Sequence, residues 1–201
     1  MEGYFHIIGD IYDIWDGKSK AIFLMDNNIL VDPNHFIKIC GQIRHESLKI
    51  DFNQGLDHRL LTTELWVECA SLKHINEIRF AFDDIAYKTT VIRALDIMSA
   101  NGLKDWQTRW YVYVGIKDTF NTVYQRLAIL KSYKQHAYLM RDSKVHDNPQ
   151  FVALAQWCNT AGAFKMDLPR LLHDSDKMKH YAKYFPQELN NYISPVKTMF
   201  S

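Results

Sequence analysis

Asn53, Gln54, Asp57 and Arg59 crowd into the few residues after the apolar positions Ile50 and Phe52, which sets two amides, a carboxylate and a guanidinium where they can face a ligand. Comparable polar clusters recur: Asp26-Asn27-Asn28 after residues 21–25 (AIFLM), Asp83-Asp84 after 77–82 (EIRFAF), Gly115 after 109–114 (RWYVYV), and Arg141-Asp142 after 137–140. Taken singly, each is ordinary turn chemistry, in which Asn or Gly sets a backbone angle. Their recurrence is what suggests a site. One chemistry open to them is an oxygen-ligand metal centre, with Asp57, Asp83 and Asp84 around a divalent ion that assists a hydrolysis. No ordered set of histidines accompanies those carboxylates.

The elements that must position these residues alternate. Residues 5–15 carry Ile7, Ile8, Ile11, Ile14 and Trp15 at helical spacing and predict an amphipathic helix. The run 21–25 is too short for a helix and suits a strand covered on both faces. Asp32-Pro33 starts a helix whose apolar face is Phe36, Ile39, Cys40 and Ile43. Thr62 or Thr63 caps the next, with Leu65, Trp66, Cys69, Ala70 and Leu72. Residues 87–100 predict a helix closed by Asn101-Gly102 with a left-handed cap. Residues 119–133 predict another, with Val123, Leu127 and Leu130 on one side. Strands at 50–52, 77–82, 109–114 and 137–140 complete five strands in alternation, roughly 25–30 residues apart, which is the length of a right-handed βα unit. In such folds ligands sit at the carboxyl ends of the strands. Residues 151–159 predict a helix, and 167–184 a more polar one.

Composition limits the partners. A chain of 201 residues with 47% hydrophobic and 23% charged residues is globular and long enough for a core. Its net charge of +1 gives no electrostatic warrant for nucleic-acid binding. Cys40, Cys69 and Cys158 have neither C-x-x-C nor Cys/His spacing and read as reduced, buried thiols. No apolar run reaches signal-peptide or membrane-span length, so the expectation is a soluble, cytoplasmic protein without a membrane partner.

The ordered series LMDNNIL, DFNQGLDHRLL, RFAFDD, YVYVG, YLMRD and FVALAQWCN resembles a group of compact radical S-adenosylmethionine proteins of bacteria, archaea and phages, over about residues 4–165. The resemblance implies an α/β fold, a partial TIM-type (β/α)6 barrel over residues 1–159, with residues 160–201 as a helical tail packed on it. It implies a loop after the first strand whose C-x-x-x-C-x-x-C thiolates hold a [4Fe-4S] cluster, with S-adenosylmethionine chelated at the open iron. Reductive cleavage there yields a 5'-deoxyadenosyl radical, so the implied class is an oxidoreductase. This sequence departs from that pattern: it contains no such cysteine motif. GYFHIIGDIYDIWDG resembles the helix that follows the first strand, so Met1 matches an internal methionine. The expectation is a truncated form with five of six strands and no cluster ligands of its own.

Carried over position by position, the resemblance puts Asp26, Asn27 and Asn28 near the amino group of the methionine moiety. Asn53 and Gln54 join the cofactor site, and Asp57 with Arg59 reaches toward substrate. Asp83 meets ribose or carboxylate, Tyr113 and Gly115 lie near the adenine, and Met140 with Arg141 meets its edge. Asp84 and Asp142 are expected to be structural, and Trp66, Trp157 and Cys158 to be core. The alternative from another class is a cluster-free binding or remnant module without catalysis. In either case the run 21–25 becomes an unpaired sheet edge, which predicts self-association or pairing with another polypeptide.

Overall fold

The computed structural model describes residues 9–160, 162–186 and 189. It is a mixed α/β fold with two open, three-stranded parallel sheets. The first has the order β1 (Ala21–Leu24), β2 (Lys49–Phe52), β3 (Lys73–His74), and the second β4 (Ile78–Ala81), β5 (Thr108–Val114), β6 (His136–Arg141). In both, sequence neighbours are sheet neighbours, with no reversal of strand order. The chain divides into two compact units, Met1–Phe80 with Arg93–Thr108, and Ala81–Ile92 with Arg109–Ser201.

The third expected strand, 77–82, is present as β4, and a two-residue strand that the sequence did not predict, β3, precedes it across residues 75–77. β3 pairs in parallel with β2, Lys49 opposite Lys73 and Ile50 opposite His74. Ile75 N still donates to Ile50 O at 2.9 Å, and Leu56 N, beyond the end of β2, donates to Arg79 O at 2.8 Å. On the other side, Ile78 N donates to Gln107 O at 3.0 Å and, four residues further along both strands, Phe82 N to Tyr111 O at 2.8 Å, so β4 and β5 run the same way. Gly55 belongs to this junction: its φ is +82°, and a Cβ there would lie 3.0 Å from Arg79 O. A side chain at 55 would meet both backbone strain and a tight contact with the Arg79 carbonyl.

The helices start where the capping residues place them. Asp32 accepts from His35 N at 2.9 Å ahead of α2 (Pro33–His45), and Thr62 Oγ1 from Leu65 N at 3.3 Å ahead of α3 (Thr63–Ala70). α4 (Lys88–Ala100) ends at Asn101-Gly102, with Gly102 at φ +81° as expected. Thr119 caps α5 (Phe120–Ser132), and Asn148 caps α6 (Pro149–Asn159). In the first unit Phe36, Ile39, Cys40, Leu65, Trp66, Cys69, Ile50 and Phe52 are buried; in the second Trp110, Val112, Leu127, Leu139, Leu154 and Trp157 are. Each such side chain contributes on the order of 1.5–3 kcal/mol of burial.

Three expectations are corrected. Of the helix over 5–15, residues 1–8 lie outside the described residues, and α1 covers only Ile11–Ile14. Asp10 starts it through a reciprocal cap with Asp13, so no helix crosses Gly9-Asp10. The run 21–25 is covered on one face only, with Phe23 and Met25 about 60% exposed. The polar helix over 167–184 breaks at Ser175 into α7 (Leu168–Asp174) and a 3-10 helix, Lys179–Tyr184. The segment before α7 is tied down by Lys131, whose Nζ donates to the carbonyls of Phe164, Lys165 and Met166 at 2.8–3.2 Å, and by Trp157 Nε1, which donates to Met166 O at 2.9 Å.

Candidate functional site

The strand-end residues fall into two groups, one in each unit. In the first unit, Asp26 Oδ1 accepts from Asn28 N at 2.8 Å and turns the chain at the end of β1. Asn28 Nδ2 donates to Asp57 Oδ2 at 3.2 Å, so two clusters 29 residues apart in sequence meet. Asp57 also grips Arg59 in a two-pronged pair, Nε to Oδ1 at 2.9 Å and Nη2 to Oδ2 at 2.7 Å. Burial pushes this carboxyl up, but the Arg59 hydrogen bonds outweigh it and hold the group below its ordinary value. Asp57 is therefore a neutralised anchor for the loop after β2, and Arg59 is half committed to it. Asn53 N extends the β1–β2 ladder to Leu24 O at 3.0 Å, while its Nδ2 donates to Met25 Sδ at 3.2 Å. Asn27 and Gln54 are exposed.

Asn28 also carries an atom with nothing to do: its side-chain oxygen is buried and, among the described residues, has no hydrogen-bond partner. A buried acceptor left in that state costs about 1–3 kcal/mol. A cationic donor such as an ammonium would satisfy it.

His58 lies under the same loop, 6% exposed, and burial pushes its imidazole down to about 4. Unfolded, the group titrates near 6.5. The folded chain thus excludes a proton that the unfolded chain takes up. Stability is fully present above about pH 6.5 and falls as pH drops toward 4, by about 3 kcal/mol from this group alone. Denaturant titrations at stepped pH check this, with His58→Leu expected to flatten the slope between pH 6.5 and 4.5; an unchanged slope removes the assignment.

In the second unit, Asp83 Oδ1 accepts from Tyr113 N at 2.8 Å, and the Tyr113 hydroxyl donates to Asp142. That bond raises the Tyr113 hydroxyl and holds the Asp142 carboxyl low. Tyr113 and Met140 are directly opposite in the β5–β6 register, each 39% exposed. The next pair inward, Tyr111 and Tyr138, meets ring edge to ring face at 5.7 Å. This face of β5–β6 is unusual, because parallel sheets are normally covered on both sides. Gly115 N donates to Asp118 Oδ2 at 2.8 Å, and a Cβ at 115 would meet only the Tyr113 ring at an ordinary 3.4 Å. Nothing inside the protein demands glycine there. Arg141 turns its guanidinium to His146 O. Asp84 and Asp142 cap the following 3-10 turns through Ala86 N and Lys144 N, the structural duties expected of them.

Two charged groups escape a reading that follows strand ends. Asp51, in mid-strand and 3% exposed, accepts from Arg79 and, at 2.6 Å, from Asn76 Nδ2. Arg126, fully buried on α5, donates through Nη1 to the carbonyls of Phe82, Asp83 and Tyr113 at 2.7–3.1 Å, and pairs through Nη2 with Asp118 at 2.5 Å. The sequence held a signal for each. Arg126 sits inside the stripe Val123, Leu127, Leu130, and Asp51 sits between two buried strand residues.

Cys40, Cys69 and Cys158 lie on α2, α3 and α6, all buried. Burial pushes Cys40 and Cys158 up to about 12, and Cys69 well above its ordinary value. Thiols of this kind do not fit an iron-sulfur cluster, which takes thiolates. Among the described residues no group of three or more His, Cys, Asp or Glu side chains is placed to hold a metal ion, and Asp57 and Asp84 are occupied as above, so the hydrolase reading has no support. Among the described residues no helix is long and apolar enough to cross a membrane. Comparison with family models, curated proteins and solved structures finds no match to this chain.

Proposed function

We propose that this chain is a radical S-adenosylmethionine-type protein whose strand ends bind S-adenosylmethionine, and which relies on another stretch of polypeptide for the cysteines of a [4Fe-4S] cluster. The observation that carries the reading is the buried, unpartnered oxygen of Asn28 beside the Asp57–Arg59 pair. The methionine ammonium would donate to it.

The barrel is part of the proposal. Strand order is sequential in both parallel sheets, which is what supports a partial (β/α)6 barrel. Because the chain's own thiols do not fit a cluster, no reaction step is assigned to it alone. The outer edge of β1 is where a second copy or another polypeptide would add a strand. Light scattering at high concentration should then exceed the monomer mass, and a clean monomer removes this clause.

Calorimetric titration tests the binding. S-adenosylmethionine and S-adenosylhomocysteine are expected to bind saturably, with Asn28→Ala weakening both by roughly tenfold or more through loss of one charge-assisted hydrogen bond. Unfolding midpoints confirm that the variant folds. Absence of heat with either ligand up to roughly millimolar concentration rejects the reading.

A further inference from the structure

A cleft lies wholly within the first unit, beside β3 and at the amino ends of β4 and β5. It measures about 520 Å³ and is walled by Lys73, His74, Asn76, Lys104, Trp106 and Gln107, with Glu77 alongside. That volume is in the range of small-molecule sites, roughly 300–1,000 Å³.

Trp106 is the unusual feature. It is 62% exposed, whereas Trp66, Trp110 and Trp157 are buried to within 1%. Leaving an indole in water forgoes about 1.5–3 kcal/mol of burial. Its support is firm nonetheless. Gln107 N donates to Lys104 O at 3.1 Å, Lys104 N donates back to Gln107 Oε1 at 3.3 Å, and Gln107 O accepts from Ile78 N at 3.0 Å. The turn that presents the ring is thus pinned to the first residue of β4.

The polar groups around it are of complementary kinds. Lys104 Nζ lies 5.6 Å from the Trp106 ring centre, and Lys73 supplies a second ammonium. His74 Nε2 is bonded to Cys69 O at 2.8 Å, and burial keeps this imidazole below its ordinary pKa, hence neutral. Asn76 has its Nδ2 on Asp51, which turns its side-chain oxygen into the acceptor left for other use. Gln107 likewise keeps its amide N–H groups, since its oxygen holds Lys104 N.

We infer that this cleft binds a nucleoside monophosphate, with the base stacked on Trp106, its edge read by the Gln107 and Asn76 amides, and the phosphate held by Lys73 and Lys104. Stacking on an aromatic ring accepts any base, and two ammoniums match one phosphate better than a chain of them. This inference does not depend on the proposed cofactor.

Tryptophan emission provides the test, because Trp106 is far more exposed than Trp66, Trp110 and Trp157. Adenosine and uridine 5'-monophosphates are expected to quench it saturably, with adenosine and inorganic phosphate each at least roughly tenfold weaker. Trp106→Leu should abolish binding measured by calorimetry, and Lys73→Gln with Lys104→Gln should weaken it by roughly tenfold or more. All variants should unfold as the parent does and keep any S-adenosylmethionine binding. Nucleotide binding undiminished in Trp106→Leu, or no saturable binding by the parent up to several millimolar on the order of ordinary metabolite limits, overturns the inference.

Discussion

Arg126→Met is expected to lower the unfolding free energy by about 3–5 kcal/mol, the range found when one partner of a buried ion pair is removed. The guanidinium is fully buried and serves the carbonyls of Phe82, Asp83 and Tyr113 as well as the Asp118 carboxylate. Methionine fills much of the volume but leaves those three oxygens without this donor. Asp118 suffers less, because Gly115 N still donates to it at 2.8 Å. Arg126→Lys should be intermediate: one ammonium can reach the carbonyl cluster or the carboxylate, but it lacks the fork that spans both. Guanidinium unfolding with an unchanged m-value measures the effect. A loss below about 1 kcal/mol for Arg126→Met would mean that solvent replaces these bonds, against the burial described.

Asp51→Ala is the second large effect, expected at about 2–4 kcal/mol. Burial pushes the Asp51 carboxyl up, yet hydrogen bonds from Arg79 and Asn76 more than compensate and hold it below its ordinary value. The substitution takes the Asp51 carboxylate away from the Arg79 guanidinium, and because that side chain is 20% exposed water softens the penalty. Asp51→Asn preserves shape and removes the charge, so the difference between the two variants isolates the ionic part. Because the folded-state pKa is depressed, this stabilisation is present above about pH 4 and disappears as pH falls through the folded value. A parent and an Asp51→Asn variant with the same acid unfolding midpoint would contradict that assignment.

The alternation of strands and helices was legible because its signals are local. Asp32-Pro33, Thr62 and Thr119 each start a helix, and Asn101-Gly102 ends one, through backbone chemistry that needs no tertiary information. The short strand β3 was not legible, since Lys73 and His74 are too few to carry a periodic signal and only their pairing with β2 defines them. The open face of β1 was misread for a related reason: AIFLM is apolar at every position, and only the finished sheet decides that Phe23 and Met25 remain outside. At the site, sequence named Asn28 and Asp57 separately and Tyr113 and Met140 separately. Their pairing is a matter of long-range register, which spacing does not encode. The two buried charges were overlooked because attention to strand ends passes over a mid-strand aspartate and a mid-helix arginine.

The gap between β3 and β4 at residues 75–77 has a kinetic corollary. Amide protons in front of it are protected by the ladder to β2, and those behind it by the ladder to β5. One proteolytic fragment spanning Lys73 to Phe82 therefore carries two clocks, and deuterium uptake along it should be biphasic whenever one ladder breathes before the other.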